Sequence, residues 1–259
     1  MSVYTINKKF RAVPGAPAGK APSEARLAVA EMFGIGLDEA YEVALYENLT
    51  VDVRPGDVVF ITGPSGSGKS VLLRCLVDAI RASEAGARIV DLAEAVPPPG
   101  MSVIDGLPAG FEQALRLAST AGLADAFLLL RPPEELSDGQ RWRLRLAHAL
   151  KAMRIAECGM RNERQNNENG AACKGHPAPE PLRVLVADEL ASTLDRLCAR
   201  AVAYRLRRLA DREGVVILAA SAHDDLLEDL APDVVVVKDA GVRVEVRYAD
   251  AARGKGRAR

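Results

Sequence analysis

The chemistry-bearing residues of this chain are concentrated in two short segments. The first is Gly63, Pro64, Ser65, Gly66, Ser67, Gly68, Lys69 and Ser70, which satisfies the pattern G-x-x-x-x-G-K-[ST]. Its glycines let successive backbone N–H groups curl around an anion where side chains would collide. Lys69 is placed to reach the outer phosphates of a nucleoside triphosphate, and the Ser70 hydroxyl to ligate Mg2+. The second segment is the apolar run 184–187 (Val-Leu-Val-Ala), which ends on Asp188 and Glu189. A phosphate loop needs a carboxylate at the end of a neighbouring strand to hold the metal, the role expected of Asp188. Glu189 follows directly, so it points elsewhere and can polarise a water as general base. Alone, two acids after an apolar run are an ordinary strand-to-loop junction; beside the phosphate loop they complete a site.

These residues need a scaffold, and the surrounding pattern supplies one. Residues 57–62 (Asp-Val-Val-Phe-Ile-Thr) lie between Pro55-Gly56 and Gly63-Pro64 and read as a short buried strand. Val71, Leu72, Leu73, Leu76, Val77 and Ile80 then recur at helical spacing over 70–82. Strand, glycine loop and helix open a parallel α/β unit. Residues 215–220 form a further buried-strand candidate after a helical pattern at 194–209. Segments 234–238 and 242–248 close the sheet, the latter alternating apolar and charged residues as a half-exposed edge does.

Composition bounds the rest. The chain has 259 residues, 49% hydrophobic, enough for one large α/β domain. Its net charge of −1 supplies no global field for nucleic acid, so nucleic acid is not indicated. No apolar run approaches the roughly 18–20 residues of a membrane span, and residues 1–11 lack a signal-peptide pattern. The four cysteines (Cys75, Cys158, Cys173, Cys198) form no regular framework. The expected location is cytoplasmic, without direct insertion into a membrane. Residues 12–24, rich in Ala, Pro and Gly, read as a linker, so 1–24 is expected as an N-terminal arm and 25–250 as the domain. Segment 155–182 is polar and low in complexity, and is expected as a mobile surface insertion. Cys158, Cys173 and His176 within it are too scattered for a zinc site. Residues 251–259 read as a disordered basic tail.

Further short motifs occur in a set order, and with them the chain resembles the ABC ATPases over roughly residues 40–248. Leu136, Ser137, Asp138, Gly139 and Gln140 resemble that family's LSGGQ signature, with Asp138 where glycine is usual. The helix that follows carries Arg143, Ala147, Ala149 and Leu150 at the family's GQxxRxxxAxAL positions. Ser192, Thr193, Leu194 and Asp195 resemble the D-loop, and His223, 34 residues beyond Glu189, stands where the switch histidine is expected. The resemblance implies an α/β P-loop NTPase fold: a mostly parallel sheet with antiparallel edge strands, and a helical signature subdomain over about 95–150. It implies ATP and Mg2+ as ligands, ATP hydrolysis with Glu189, His223 and Lys69 as catalytic residues, and a head-to-tail dimer, here expected with an identical chain. It also implies an aromatic residue stacked on adenine, for which Tyr41 is the candidate, with Tyr46 and Phe33 as alternatives.

The pattern departs from the family in two places. No glutamine occurs over 87–100, where the family places one after its second strand; Glu94 and Asp91 are the nearby polar substitutes. Lys69 and Ser137 are only 68 positions apart, which implies a trimmed helical subdomain, whereas Ser137 and Asp188 are 51 apart because of the 155–182 segment. The departures favour a non-transporter ATPase acting on an unknown protein partner. Residues 136–150 and 229–238 also resemble a small group of ABC ATPases fused to predicted N-acetyltransferases. The alternatives are the ATP-binding subunit of a membrane transporter and a DNA-linked ATPase, which would carry long coiled coils.

Overall fold

The structure is a computed structural model that describes residues 2–12, 21–37, 41–107, 110–167, 181–239, 241 and 243–249, with backbone alone at Ala12, Tyr41, Val43 and 154–167. The chain opens with strand β1 (Ser2–Ala12), helix α1 (Glu24–Phe33) and strand β2 (Tyr41–Val53). Strand β3 (Val58–Thr62), helix α2 (Lys69–Ser83) and strand β4 (Arg88–Asp91) form the first α/β unit. Short helices α3 (Val103–Gly106), α4 (Phe111–Ala121) and α5 (Ala126–Leu129) lead to the long helix α6 (Asp138–Asn167). Strand β5 (Arg183–Ala187), helix α7 (Arg196–Glu213), strand β6 (Val216–Ser221), helix α8 (Leu227–Leu230) and strands β7 (Val234–Lys238) and β8 (Val244–Tyr248) complete the order.

The main sheet runs β4-β5-β6-β3-β7-β8. All neighbours are parallel except β8, which pairs antiparallel with β7 at the edge. The central strands β3, β5 and β6 are near-continuous apolar runs because both faces are covered. Alternation along β3 sends Val58 and Phe60 into one core, with Leu144, Leu146 and Leu206 of α6 and α7. Val59 and Ile61 enter the other, with Leu72, Leu76 and Ile80 of α2. Parallel pairing aligns the carboxyl ends of β5, β6 and β3 as three neighbours, and that edge carries the site.

Two regions depart from the expected organisation. Residues 2–12, expected as part of an arm over 1–24, form β1, which pairs antiparallel with β2 as a separate two-stranded sheet. Tyr4 and Ile6 are buried while Val3 and Thr5 face outward, a period-2 pattern too short to be decisive without its partner strand some 40 residues away. Ser2 Oγ and Tyr4 OH both donate to Glu84 Oε1 at the end of α2, so β1 clasps the helix that leaves the phosphate loop. The second departure lies in segment 155–182, expected as an excursion: the helical backbone of α6 continues through its first part to Asn167. Helical hydrogen bonds are satisfied within the segment, so polar composition alone does not end a helix. Residues 168–180, with Cys173 and His176, and the tail 251–259 lie outside the described residues, as does the side chain of Cys158.

Candidate functional site

Thr62 ends β3, and residues 63–68 turn back over the edge into α2. Gly63 has φ 147°, and a Cβ there would lie 1.9 Å from the Lys238 carbonyl oxygen, so glycine is required by close backbone approach. Gly66 and Gly68 have φ of 76° and 100°, left-handed values. Gly68 is the N-cap of α2 and supplies no side-chain cap, leaving the first-turn N–H groups to an external anion. Lys69 Nζ folds back into the loop, donating at 2.8 Å to the carbonyls of Gly63 and Pro64. Ser67 Oγ is buried without a hydrogen-bond partner. A glycine turn with an unpartnered hydroxyl, an inward-folded lysine and a helix N-terminus is an arrangement that phosphate oxygens satisfy.

The loop is held from behind. The Tyr46 hydroxyl on β2 donates to the Gly68 carbonyl at 2.9 Å. Burial pushes the Tyr46 pKa up to about 12, so the donor proton stays in place. This residue, an alternative adenine platform in the sequence, is 1% exposed and therefore unavailable for stacking. Phe33 lies exposed at the end of α1, and the backbone of Tyr41 pairs with Ala12 while its side chain lies outside the described residues.

The acids follow β5, two strands from β3 and so about 10 Å across the sheet edge. Glu189 has φ 52° and Ala191 φ 57°, conformations costly for non-glycine residues and typical of functional turns. The turn is anchored to the sheet by Leu190 N–H, which donates to Ala220 O of β6 at 2.8 Å, and Glu189 N–H donates to Asp188 Oδ1 at 3.1 Å. His223 follows β6, the strand between β3 and β5, and is exposed. Its N–H donates to Ser221 Oγ at 3.1 Å, and Thr62 Oγ1 at the end of β3 donates to Asp224 Oδ1. Sheet order thus brings Lys69, Ser70, Asp188, Glu189 and His223 to one edge.

The signature residues stand apart from it. Ser137 and Gln140 form a reciprocal capping box at the start of α6: Gln140 N–H donates to Ser137 Oγ at 3.3 Å, and Ser137 N–H to Gln140 Oε1 at 3.0 Å. Asp138 pairs with Arg141 at 2.6 Å on the surface, and Leu136 is buried beneath. A Cβ on Gly139 would lie 3.1 Å from Thr193 O, so signature and D-loop touch within the chain. Ser192 N–H donates to Glu189 O at 3.1 Å, which links the D-loop to the acidic turn. Asp195 is the N-cap of α7; hydrogen bonds from Cys198 hold its carboxyl below the usual range. Among the described residues, no hydrogen bond joins 136–140 to 63–70. In the glutamine-less loop, Asp91 Oδ1 accepts from Ala93 N–H at 2.8 Å and is committed to its own turn, while Glu94 is exposed. Tyr46 as a loop anchor, Thr62, Asp224 and Lys238 escaped the sequence reading; a lysine closing an all-valine strand was the signal for the last.

Residues 46–95, from β2 through the phosphate loop to the turn after β4, match the family described as ABC transporter. Over this segment the chain is similar to the ABC-type ATPases. The chain is 26% identical over 235 residues to the phosphonates import ATP-binding protein PhnC of Hyphomonas neptunium, covering 76% of this chain and 78% of the relative. It is 29% identical over 208 residues to the aliphatic sulfonates import ATP-binding protein SsuB of Delftia acidovorans, covering 74% and 73%. The fold of the chain is similar to that of the ATP-binding cassette MJ0796 in a dimeric post-hydrolysis state with ADP and Pi, with a TM-score of 0.57 and 16% identity over 94% of this chain and 98% of that one.

Proposed function

We propose that this cassette binds Mg·ATP on residues 63–70 and hydrolyses it within a head-to-tail pair of chains. The observation that carries this reading is the shared edge of β3, β6 and β5, which delivers a phosphate loop, a histidine and two acids side by side. Lys69 Nζ exchanges its two carbonyl acceptors for phosphate oxygens, and Ser67 Oγ gains the partner it lacks. Ser70 and Asp188 would hold Mg2+, which supplies charge neutralisation of the phosphates. Glu189 accepts a proton from the attacking water, and His223 orients it toward the γ-phosphate. Ser137 and the free N–H groups at the start of α6 cap the γ-phosphate of the ATP held by the other chain.

Within this reading, a non-transporter ATPase acting on a protein partner is supported by the absence of glutamine over 87–100 and by Asp91 being bonded to its own turn. Among the described residues no helix is long and apolar enough to cross a membrane. One observation favours a second reading, the ATP-binding subunit of an importer. Val103 N–H donates to Arg131 O, which ties the start of α3 to the chain just after α5; Met101, Phe127 and Leu130 in these two segments are exposed, as a surface that receives a permease would be.

Glu189→Gln tests the proposal. Hydrolysis falls at least ~100-fold, as expected for loss of a general base, while Mg·ATP binding persists and light scattering reports an ATP-dependent dimer. A variant that hydrolyses at the wild-type rate, or stays monomeric at saturating ATP, refutes the mechanism. Recovery of the trapped variant with a membrane permease rather than soluble protein selects the importer reading.

A further inference from the structure

Strand β7 ends on a lysine that the fold buries. Lys238 follows four valines and is 1% exposed. Its ammonium donates to the main-chain oxygens of Asp239, at 3.0 Å, and Gly241, and lies 5.8 Å from the centroid of the Tyr46 ring. Among the described residues no carboxylate forms an ion pair with it. Desolvation lowers its pKa, with the neighbouring charge of Asp239 opposing. An apolar side chain at such a place is commonly neutral or stabilising, so core stability alone does not explain a lysine here.

The surroundings give the charge an object. The carbonyl of Lys238 lies where a Cβ on Gly63 would come within 1.9 Å, so the residue's main chain backs the first glycine of the phosphate loop. Its ammonium rests over Tyr46, whose hydroxyl holds the carbonyl of Gly68, the last glycine. Lys238 therefore backs one end of the loop directly and the other through one aromatic ring. The cation–π contact is favourable when the cation is desolvated, as it is here. A buried positive charge behind an anion-binding turn also acts through low-dielectric interior, where its field is less screened than that of an exposed lysine.

We propose that Lys238 is a positioning residue for the triphosphate: seated on Tyr46, its buried ammonium fixes residues 63–68 in their anion-accepting form and adds positive potential at the phosphates. The proposal rests on the reading of 63–70 as the nucleotide site. It accounts together for the lysine at the end of an all-valine strand, the buried Tyr46 and the close approach at Gly63.

Lys238→Met, which keeps the length of the side chain and removes its charge, tests it. Expected are about tenfold weaker binding of Mg·ATP, a much smaller loss for AMP, a raised KM with kcat within twofold, and a Tm equal to or above wild type. Tyr46→Phe, which keeps the ring but frees the Gly68 carbonyl, weakens Mg·ATP binding a few-fold. Unchanged Mg·ATP affinity in folded Lys238→Met overturns the proposal, and so does an equal loss for ATP and AMP, which would mark a general distortion of the site. If Lys238→Met does not fold, Tyr46→Phe decides, and unchanged affinity there overturns the proposal. Lys69→Ala is the control: if it binds Mg·ATP as wild type does, the nucleotide-site reading itself has failed.

Discussion

The phosphate loop and the signature segment are both glycine-containing turns that open a helix, yet the molecule holds them by different means. Residues 63–68 are fixed from the interior, by Tyr46 on Gly68, the Lys238 carbonyl against Gly63, and β1 clasped on α2. Residues 136–140 are fixed by local bonds at the surface: the Ser137–Gln140 capping box and the exposed Asp138–Arg141 pair. An interior clamp fixes a loop to act within its own chain. A turn whose polar bonds are local keeps its helix N-terminus facing outward, where a second chain can approach. That contrast is what a nucleotide sandwich requires of its two halves.

The sharpest way to break the comparison is the same substitution in both turns. Gly63→Ala places a methyl 1.9 Å from a backbone oxygen, so the loop must move, and Mg·ATP binding is expected to be lost with a large fall in Tm. Gly139→Ala meets Thr193 O at 3.1 Å and is expected to lower Tm only slightly while weakening ATP-driven dimerisation. Equal effects on nucleotide binding by the isolated chain would erase the distinction between the halves.

A smaller effect is expected at Asp138. An acid in the first turn suits the helix dipole but repels a γ-phosphate arriving from another chain, and Arg141 offsets that charge. Asp138→Gly should tighten the ATP-dependent dimer of the Glu189→Gln background several-fold, by analytical ultracentrifugation. Arg141→Ala should loosen it unless Asp138 is also replaced; additive effects in the double variant would refute the offset.

The smallest expected effect separates the halves by pH. His148 of α6 lies buried near Gly106 and Pro98, and its Nε2 has no hydrogen-bond partner. Burial, aided by Lys151, lowers its pKa from 6.5 to about 4. The folded pKa is depressed, so the unfolded chain binds more protons between these values, and stability falls as pH drops from 6.5 toward 4. His148→Leu should flatten the dependence of Tm on pH across that window; an unchanged slope would assign the loss to other groups.

Much of this was legible in the residues themselves. The strand, loop and helix over 58–83 were readable because burial on both faces leaves an uninterrupted apolar run, and the motif sits at its end. The antiparallel edge strand β8 was readable from its alternation. Strand β1 was not, since its alternation of Tyr4 and Ile6 gains meaning only from pairing with β2. The reach of α6 to Asn167 was not either, because apolar periodicity marks a buried helix face and a polar extension carries no such mark.

The sequence by itself determined which groups could meet a phosphate, a metal and a water, since glycine, lysine, serine and carboxylate chemistry is carried locally. Only the tertiary structure decided that β6 stands between β3 and β5, placing His223 among them, and that Lys238 and Tyr46, 192 positions apart, meet behind the loop. Those decisions rest on strand order and side-chain packing, which arise from contacts between residues distant in the chain and leave no fixed spacing in it.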